Sequence, residues 1–397
     1  MTSFRENSSN KTPGFRRGPR VADLMTAEHF RFANSSYAAE RAGDAETSLA
    51  YHRGVPMFAR GAQAVQLTQL AALSEEMTPW LWARWAAYQC TRAEDNDESG
   101  RIQRAALDYT MRMFYADRVE RAYQYGDDPT AAIAQVMGEG WAFHQICTFE
   151  LGGLQEFMSN LAAGRLAEEA GLARSWRGAR MGGYRLVSAG PGSLAVHDLR
   201  SNRQVPLLDL GAAVHADADG WLVGRLVPSG VTPALMFDSR PIAVDERTAR
   251  AVAASSTVHG GWITALKAAI TEGRLDRCRL EMEDRELVTD VPSLSLIEAG
   301  TPPQAVAVAL AQLRRGRDEI GRAAFRILKQ VAEGEFGPDR RAAYVAAAVL
   351  NPHAFAEAST QLVGTGSPRN WMHWAELVPE PARGRLQRLA TAASAVA

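Results

Sequence analysis

The change of hydrophobic period near residue 180 constrains this chain more than any other feature. In "GGYRLVSAGPGSLAVHDLRSNRQVPLLDL" (182–210), short apolar runs alternate with Gly-Pro-Gly and Ser-Asn turns, and "WLVGRLVPSGVTPALMF" (221–237) adds two runs around Pro-Ser-Gly. Runs this short, spaced by turn residues, predict four or five strands in an antiparallel sheet or small barrel. "RCRLEMEDRELVTDVPSL" (277–294) alternates again and predicts a hairpin closing this region, with a helix between that Asp245 would cap.

On either side of that region the period is helical. In "MTPWLWARWAAYQC" (77–90), Thr78 and Pro79 form a helix start, because proline at the first position loses only an N–H that has no partner there. Leu81, Trp85 and Tyr88 then share one face, with Trp82 at its edge, and such a stripe predicts core. Asp128-Pro129 repeats the same start. From Pro302 the chain is helical, with a core stripe of Ile320, Ala324, Ile327, Leu328 and Val331 and breaks at Gly337-Pro338, Asn351-Pro352 and Pro379-Glu380-Pro381. The expected fold is α+β and mostly helical. Its parts are a disordered basic tail (1–20), repeat-like helical hairpins (21–175), a small antiparallel β-rich domain with a helical insertion (180–300) and a C-terminal helical domain (301–397).

Composition narrows the chemistry. The net charge of −1 gives no global field for nucleic acid. Local surpluses are the tail, with Arg5, Lys11, Arg16, Arg17 and Arg20 against Glu6, and residues 301–397, with 12 Lys and Arg against 8 Asp and Glu. Cys90, Cys147 and Cys278 are far apart and odd in number, so neither a zinc site nor a disulfide framework is indicated, and a reducing, cytoplasmic location is expected. No apolar run is long enough to span a bilayer, and the N-terminus lacks the apolar stretch of a secretory signal.

No G-x-x-x-x-G-K-[ST], H-E-x-x-H or G-x-S-x-G occurs, and the kinase signature set and the nuclease E-x-K are missing. "HADADG" (215–220) looks like the start of a calcium loop, but His215 and Leu226 stand where carboxylates would have to ligate, so a polar turn is expected. His144 and Cys147 lie one helical turn apart in a strongly apolar segment, which predicts packing. His197-Asp198 falls in a strand, where neighbours face opposite sides. Trp371 and Trp374, at i and i+3 around His373, predict core, or alternatively a partner-facing aromatic patch.

One stretch, "RFANSSYAAERAGDAETSLAYHRGVP" (31–56), resembles a tetratricopeptide repeat, a 34-residue helix–turn–helix unit. With the inter-helix turn set on Gly43-Asp44, Phe32 takes the aromatic position and Ser36 and Ser48 the two small positions where helices cross. Ser35, Ala39, His52 and Arg60 depart from the pattern, and no second Gly-Asp turn recurs at the repeat spacing. The resemblance covers one unit clearly and the first 170 residues loosely. It implies helical hairpins that bind partner proteins, with Tyr37, Glu40 and Arg41 on the groove-facing side.

The expected function is a non-enzymatic protein-interaction or regulatory protein with no cofactor and no metal. Its partner surface would comprise Tyr37, Glu40, Arg41, Trp371 and Trp374. The first alternative is an enzyme with its site where the β-rich and helical regions meet, built on His197, Asp198, His215 and Asp217; the second is nucleic-acid binding through the tail and the C-terminal arginines.

Overall fold

The computed structural model describes residues 24–59, 61–92, 98–118, 140–190, 193–215, 220–255, 260–281, 286–291 and 318–396, with a few positions between 120 and 138. The expected tail and the Asp128-Pro129 start lie outside the described residues. The fold is α+β and mostly helical, with one antiparallel sheet in the middle of the chain.

Helix α1 (Ala27–Arg41) begins at Thr26, whose hydroxyl accepts from the His29 N–H (3.2 Å) while His29 Nδ1 accepts from the Thr26 N–H (3.3 Å). Helix α2 (Ala45–Arg53) folds back through the expected Gly43-Asp44 turn and is capped by Asp44, which accepts from the Thr47 N–H at 2.9 Å. Gly43 has φ +78°, and a Cβ there would lie 2.5 Å from the Leu166 nitrogen, so both the turn and the neighbour require glycine. The two helices cross at Ser36 and Ser48, whose hydroxyl oxygens are 2.9 Å apart.

Helix α3 (Ala62–Leu73) packs on α2, and α4 (Pro79–Gln89) starts at Thr78-Pro79 as expected. The burial of α4 exceeds its predicted stripe: every residue from Trp80 to Ala87 is buried, as in a helix enclosed on all sides. There follow α5 (Glu98–Phe114), α6 (Trp141–Gln145, prolonged by a π turn over Ile146–Glu150), α7 (Gly153–Asn160) and α8 (Gly164–Glu169).

The sheet comprises β1 (Met181–Gly190), β2 (Ser193–Asp198), β3 (Arg203–Leu208), β4 (Trp221–Pro228), β5 (Leu235–Phe237) and β6 (Ile242–Val244). Its order is β3-β2-β1-β4-β5, with β6 also on β4 and every pairing antiparallel. β3 comes close to β5, so the sheet curls around Leu186, Leu194, Val196, Leu207, Leu222 and Phe237. Helix α9 (Glu246–Ser255), with Asp245 accepting from the Thr248 N–H at 2.8 Å, lies directly on β1. A Cβ on Gly183 would meet the Ala249 carbonyl oxygen at 1.9 Å, so only glycine admits this contact. Helix α10 (Gly261–Thr271) completes the region.

Among the described residues, the hairpin expected over 277–294 is absent. Asp276 accepts from the Cys278 N–H at 3.0 Å and winds Arg277–Leu280 into a 3-10 turn. Glu281 makes a single bridge to Gly140, and the Asp290 N–H donates to the Leu210 carbonyl at 2.7 Å. The alternation is real, but Leu280 is buried in one core cluster and Leu287, Val288 and Val291 in another, so it does not define one sheet face.

The C-terminal helices are α11 (Asp318–Glu333), α12 (Ala342–Leu350), α13 (Pro352–Gln361), α14 (Pro368–Leu377) and α15 (Ala382–Val396), separated at the expected breaks. Ala324, Ile327, Leu328 and Val331 are fully buried, and Ile320 is half-buried. One hydrophobic core unites Leu67, Leu70 and Leu73 of α3 with Val345 and Val349 of α12 and Leu386 of α15. Buried Arg385 crosses the same contact, donating to the Ala72 carbonyl (2.8 Å) and pairing with Glu76 (3.2 Å). The helices on the two sides of the sheet region thus share a single interior. No helix among the described residues is long and apolar enough to cross a membrane.

Candidate functional site

The first helix does bring the three hairpin residues together, but against the chain itself. Tyr37, Glu40 and Arg41 line a recess of about 250 Å³ with Gln89, Arg92 and Phe157. Arg92 stands between the Tyr37 and Tyr88 rings, 5.0 and 5.2 Å from their centroids, and pairs with Glu40 at 2.9 Å. Glu40 is buried, Gln63 also donates to its carboxylate, and Gln89 donates to its carbonyl oxygen at 3.0 Å. This face of α1 is where the hairpin docks on α4 and its following turn.

Trp371 and Trp374 form no surface patch. They are 0% and 4% exposed, Trp374 meets Phe336 edge-on with centroids 5.5 Å apart, and Met372 and His373 between them face outward, His373 3.1 Å from Asp339. The spacing that aligns the two rings also aligns them with buried Ala375 and Leu377, so all four face the core. Among the C-terminal arginines, Arg385 is buried, Arg388 pairs with Glu76 at 2.9 Å and Arg322 pairs with Glu319.

The residues proposed for catalysis are not assembled. His197 Nε2 is 3.0 Å from Asn202 Oδ1, and Asp198 accepts from the Arg200 N–H (3.0 Å) and the Ser201 hydroxyl (2.7 Å), which closes the β2–β3 turn. His215 ends a short 3-10 turn, and Asp217 lies outside the described residues.

Where sheet and helices meet, a polar group set that sequence reasoning missed is buried. Arg84 of α4 donates to Asp290 Oδ1 (2.9 Å) and to the carbonyls of Phe237 (2.9 Å) and Leu287 (3.3 Å). Burial pushes the Asp290 carboxyl upward, and Arg84 opposes that shift. On β4, Arg225 pairs with Glu150 of the π turn and donates to Gln145 (2.7 Å) and to the Ala179 carbonyl (2.7 Å). Glu150 accepts in turn from Trp262 Nε1 at 2.8 Å. These pairs join segments far apart in sequence, and their geometry is that of internal ties.

A site with room for a ligand lies elsewhere among the described residues. A cleft, with about 700 Å³ of empty space counted out into open solvent, opens between α3 and the α12–α13 corner. Half-buried Val65 and Ile320 and buried Ala347 form its walls; Thr68, Gln69 and Glu286 add polar groups; Arg53, Asn351, Pro352 and His353 border it. Asn351 caps α13 by accepting from the Ala354 N–H at 3.0 Å, which fixes the helix start at the cleft edge. Gln69 is only 9% exposed, yet its amide has no hydrogen-bond partner among the described residues. A cleft with apolar walls and a few convergent polar groups has the make-up of a small-molecule site. In sequence its only signals are a glutamine at a core-facing position of "AVQLTQLAAL" and the Asn351-Pro352 helix start. Compared with known proteins, the chain matches no family model, no curated protein and no solved structure.

Proposed function

We propose that the protein is a non-enzymatic regulatory protein that binds a small-molecule-sized ligand in the cleft between α3 and α12–α13. The observation that carries this reading is Gln69. Its amide makes no hydrogen bond among the described residues and meets water only through the cleft, so a ligand that pairs with it gains about 0.5–1.5 kcal/mol. The cleft residues favour binding over chemistry. Glu286 accepts from the Thr289 hydroxyl at 2.5 Å, and His353 has no orienting hydrogen bond among the described residues, so no nucleophile, base and orienting group stand in line. Because the cleft walls come from both sides of the shared core, occupancy would stiffen the contact between α3 and the C-terminal helices. This keeps the expected regulatory class and moves the binding surface away from the α1–α2 hairpin.

A ligand-observed NMR fragment screen against the wild type and Val65→Trp, which places an indole in the cleft from a half-buried position, tests the reading. A group of fragments that bind the wild type and compete with one another should be lost in the variant while its circular dichroism is unchanged. Identical hits on both proteins would refute it.

A further inference from the structure

Resting on that reading of the cleft, we infer that its ligand is an amphipathic carboxylic acid. The carboxylate would sit between Arg53 and the start of α13, the apolar body on Val65, Ile320 and Ala347, and a hydrogen-bonding group on the Gln69 amide.

Charge at the rim supports the acid. Arg53 is exposed at the end of α2, makes one neutral bond, Nη2 to Thr68 Oγ1 at 3.4 Å, and has no carboxylate partner among the described residues. The second positive element is the first turn of α13, a helix of 10 residues. There the Ala354 N–H is taken by the Asn351 side chain, the Phe355 N–H by the Asn351 carbonyl, and proline at 352 has none. The His353 N–H is left without a partner among the described residues, at the positive end of the helix dipole. The acidic lining residue, Glu286, accepts from the Thr289 hydroxyl of its own segment and makes no ion pair with Arg53. A single guanidinium beside apolar walls suits a monoanion with a hydrocarbon body.

Burial supplies the second requirement. Gln69 is 9% exposed, and Ala347 is 6% exposed, so they form the floor, whereas Arg53 and His353 are exposed. The Gln69 carboxamide offers both a donor and an acceptor and uses neither. A ligand that satisfies both ends carries its charge at the mouth and an amide, hydroxyl or carbonyl group within.

Isothermal titration with N-hexanoylglycine, N-hexanoylglycinamide and octanoate tests the inference on the full-length protein and its variants. N-Hexanoylglycine should bind the wild type about tenfold or more tightly than its neutral glycinamide. Arg53→Glu should erase that preference, and Gln69→Leu should weaken N-hexanoylglycine but not octanoate, which has no amide to pair. Val65→Trp should abolish all three. Equal binding of acid and amide, or an acid preference that survives Arg53→Glu, would overturn the carboxylate assignment, as would tighter binding of a synthetic copy of residues 292–301. If neutral fragments still bind in a Val65→Trp-sensitive way, the cleft survives that failure; if nothing does, the underlying reading falls with it.

Discussion

Arg84 and Asp290 should be far more costly to separate than to remove together. Their charged atoms are 2.9 Å apart and their side chains 3% and 4% exposed. At an effective dielectric constant of about 20, that separation corresponds to roughly 6 kcal/mol of attraction. Desolvating two ions costs several kcal/mol each, so the pair as a whole contributes little net stability. Asp290→Ala leaves a buried guanidinium without its counter-charge and should cost about 3–5 kcal/mol. Arg84→Met should lie at the upper end of that range, since it also strips the Phe237 and Leu287 carbonyls of a donor. The double variant should cost at least about 2 kcal/mol less than the sum of the two. Urea unfolding followed by tryptophan fluorescence and far-UV circular dichroism gives the three free energies, provided the two transitions coincide. Additivity within about 0.5 kcal/mol, or a single-variant cost below about 1 kcal/mol, would refute the argument. A linked consequence is functional: Asp290 fixes residues 286–291, and Glu286 lines the cleft. Asp290→Ala should therefore also weaken binding of the cleft probes.

Gln69→Leu removes an amide that is bonded to nothing else among the described residues, at nearly constant volume, and should change the stability of the unliganded protein by less than about 0.5 kcal/mol, read as an unchanged urea midpoint; a midpoint lowered by more would mean the amide is bonded within the fold. Gly183→Ala should cost at least about 1–3 kcal/mol, because its methyl would overlap the Ala249 carbonyl, and a neutral result in thermal unfolding would contradict the close packing of α9 on β1. Burial pushes the Asp209 carboxyl up from 3.8 to about 6, against the Gly211 N–H it accepts. Folding therefore favours its protonated form: the contribution is present below about pH 4 and is lost as the pH rises to about 6. The stability of Asp209→Asn relative to wild type should increase over that interval, and parallel pH profiles would show that the carboxyl is not perturbed.

Local chemistry was legible before any coordinates. Asp245 and Asn351-Pro352 start helices because a capping side chain and its N–H partner lie within four residues of each other, and Thr78-Pro79 starts one because proline gives up only an N–H that would have no partner there. The Ser36–Ser48 crossing and the alternation of the sheet strands are local in the same sense. Burial is different, because it depends on what arrives from elsewhere in the chain. Alternation over 277–291 predicted a hairpin, yet its apolar residues are divided between two interiors. Tyr37, Glu40 and Arg41 were expected to share a face and do, but Arg92, 52 residues beyond Glu40, closes that face. The cleft lies furthest from the sequence, since α2, α3, the 286–291 segment, α11, α12 and α13 each contribute to it. Sequence by itself determined several helix starts and breaks, through hydrogen bonds made within a turn. Only the tertiary structure decided which polar groups would be enclosed and what they would meet, because a guanidinium such as that of Arg84 loses its water when segments distant in sequence close around it.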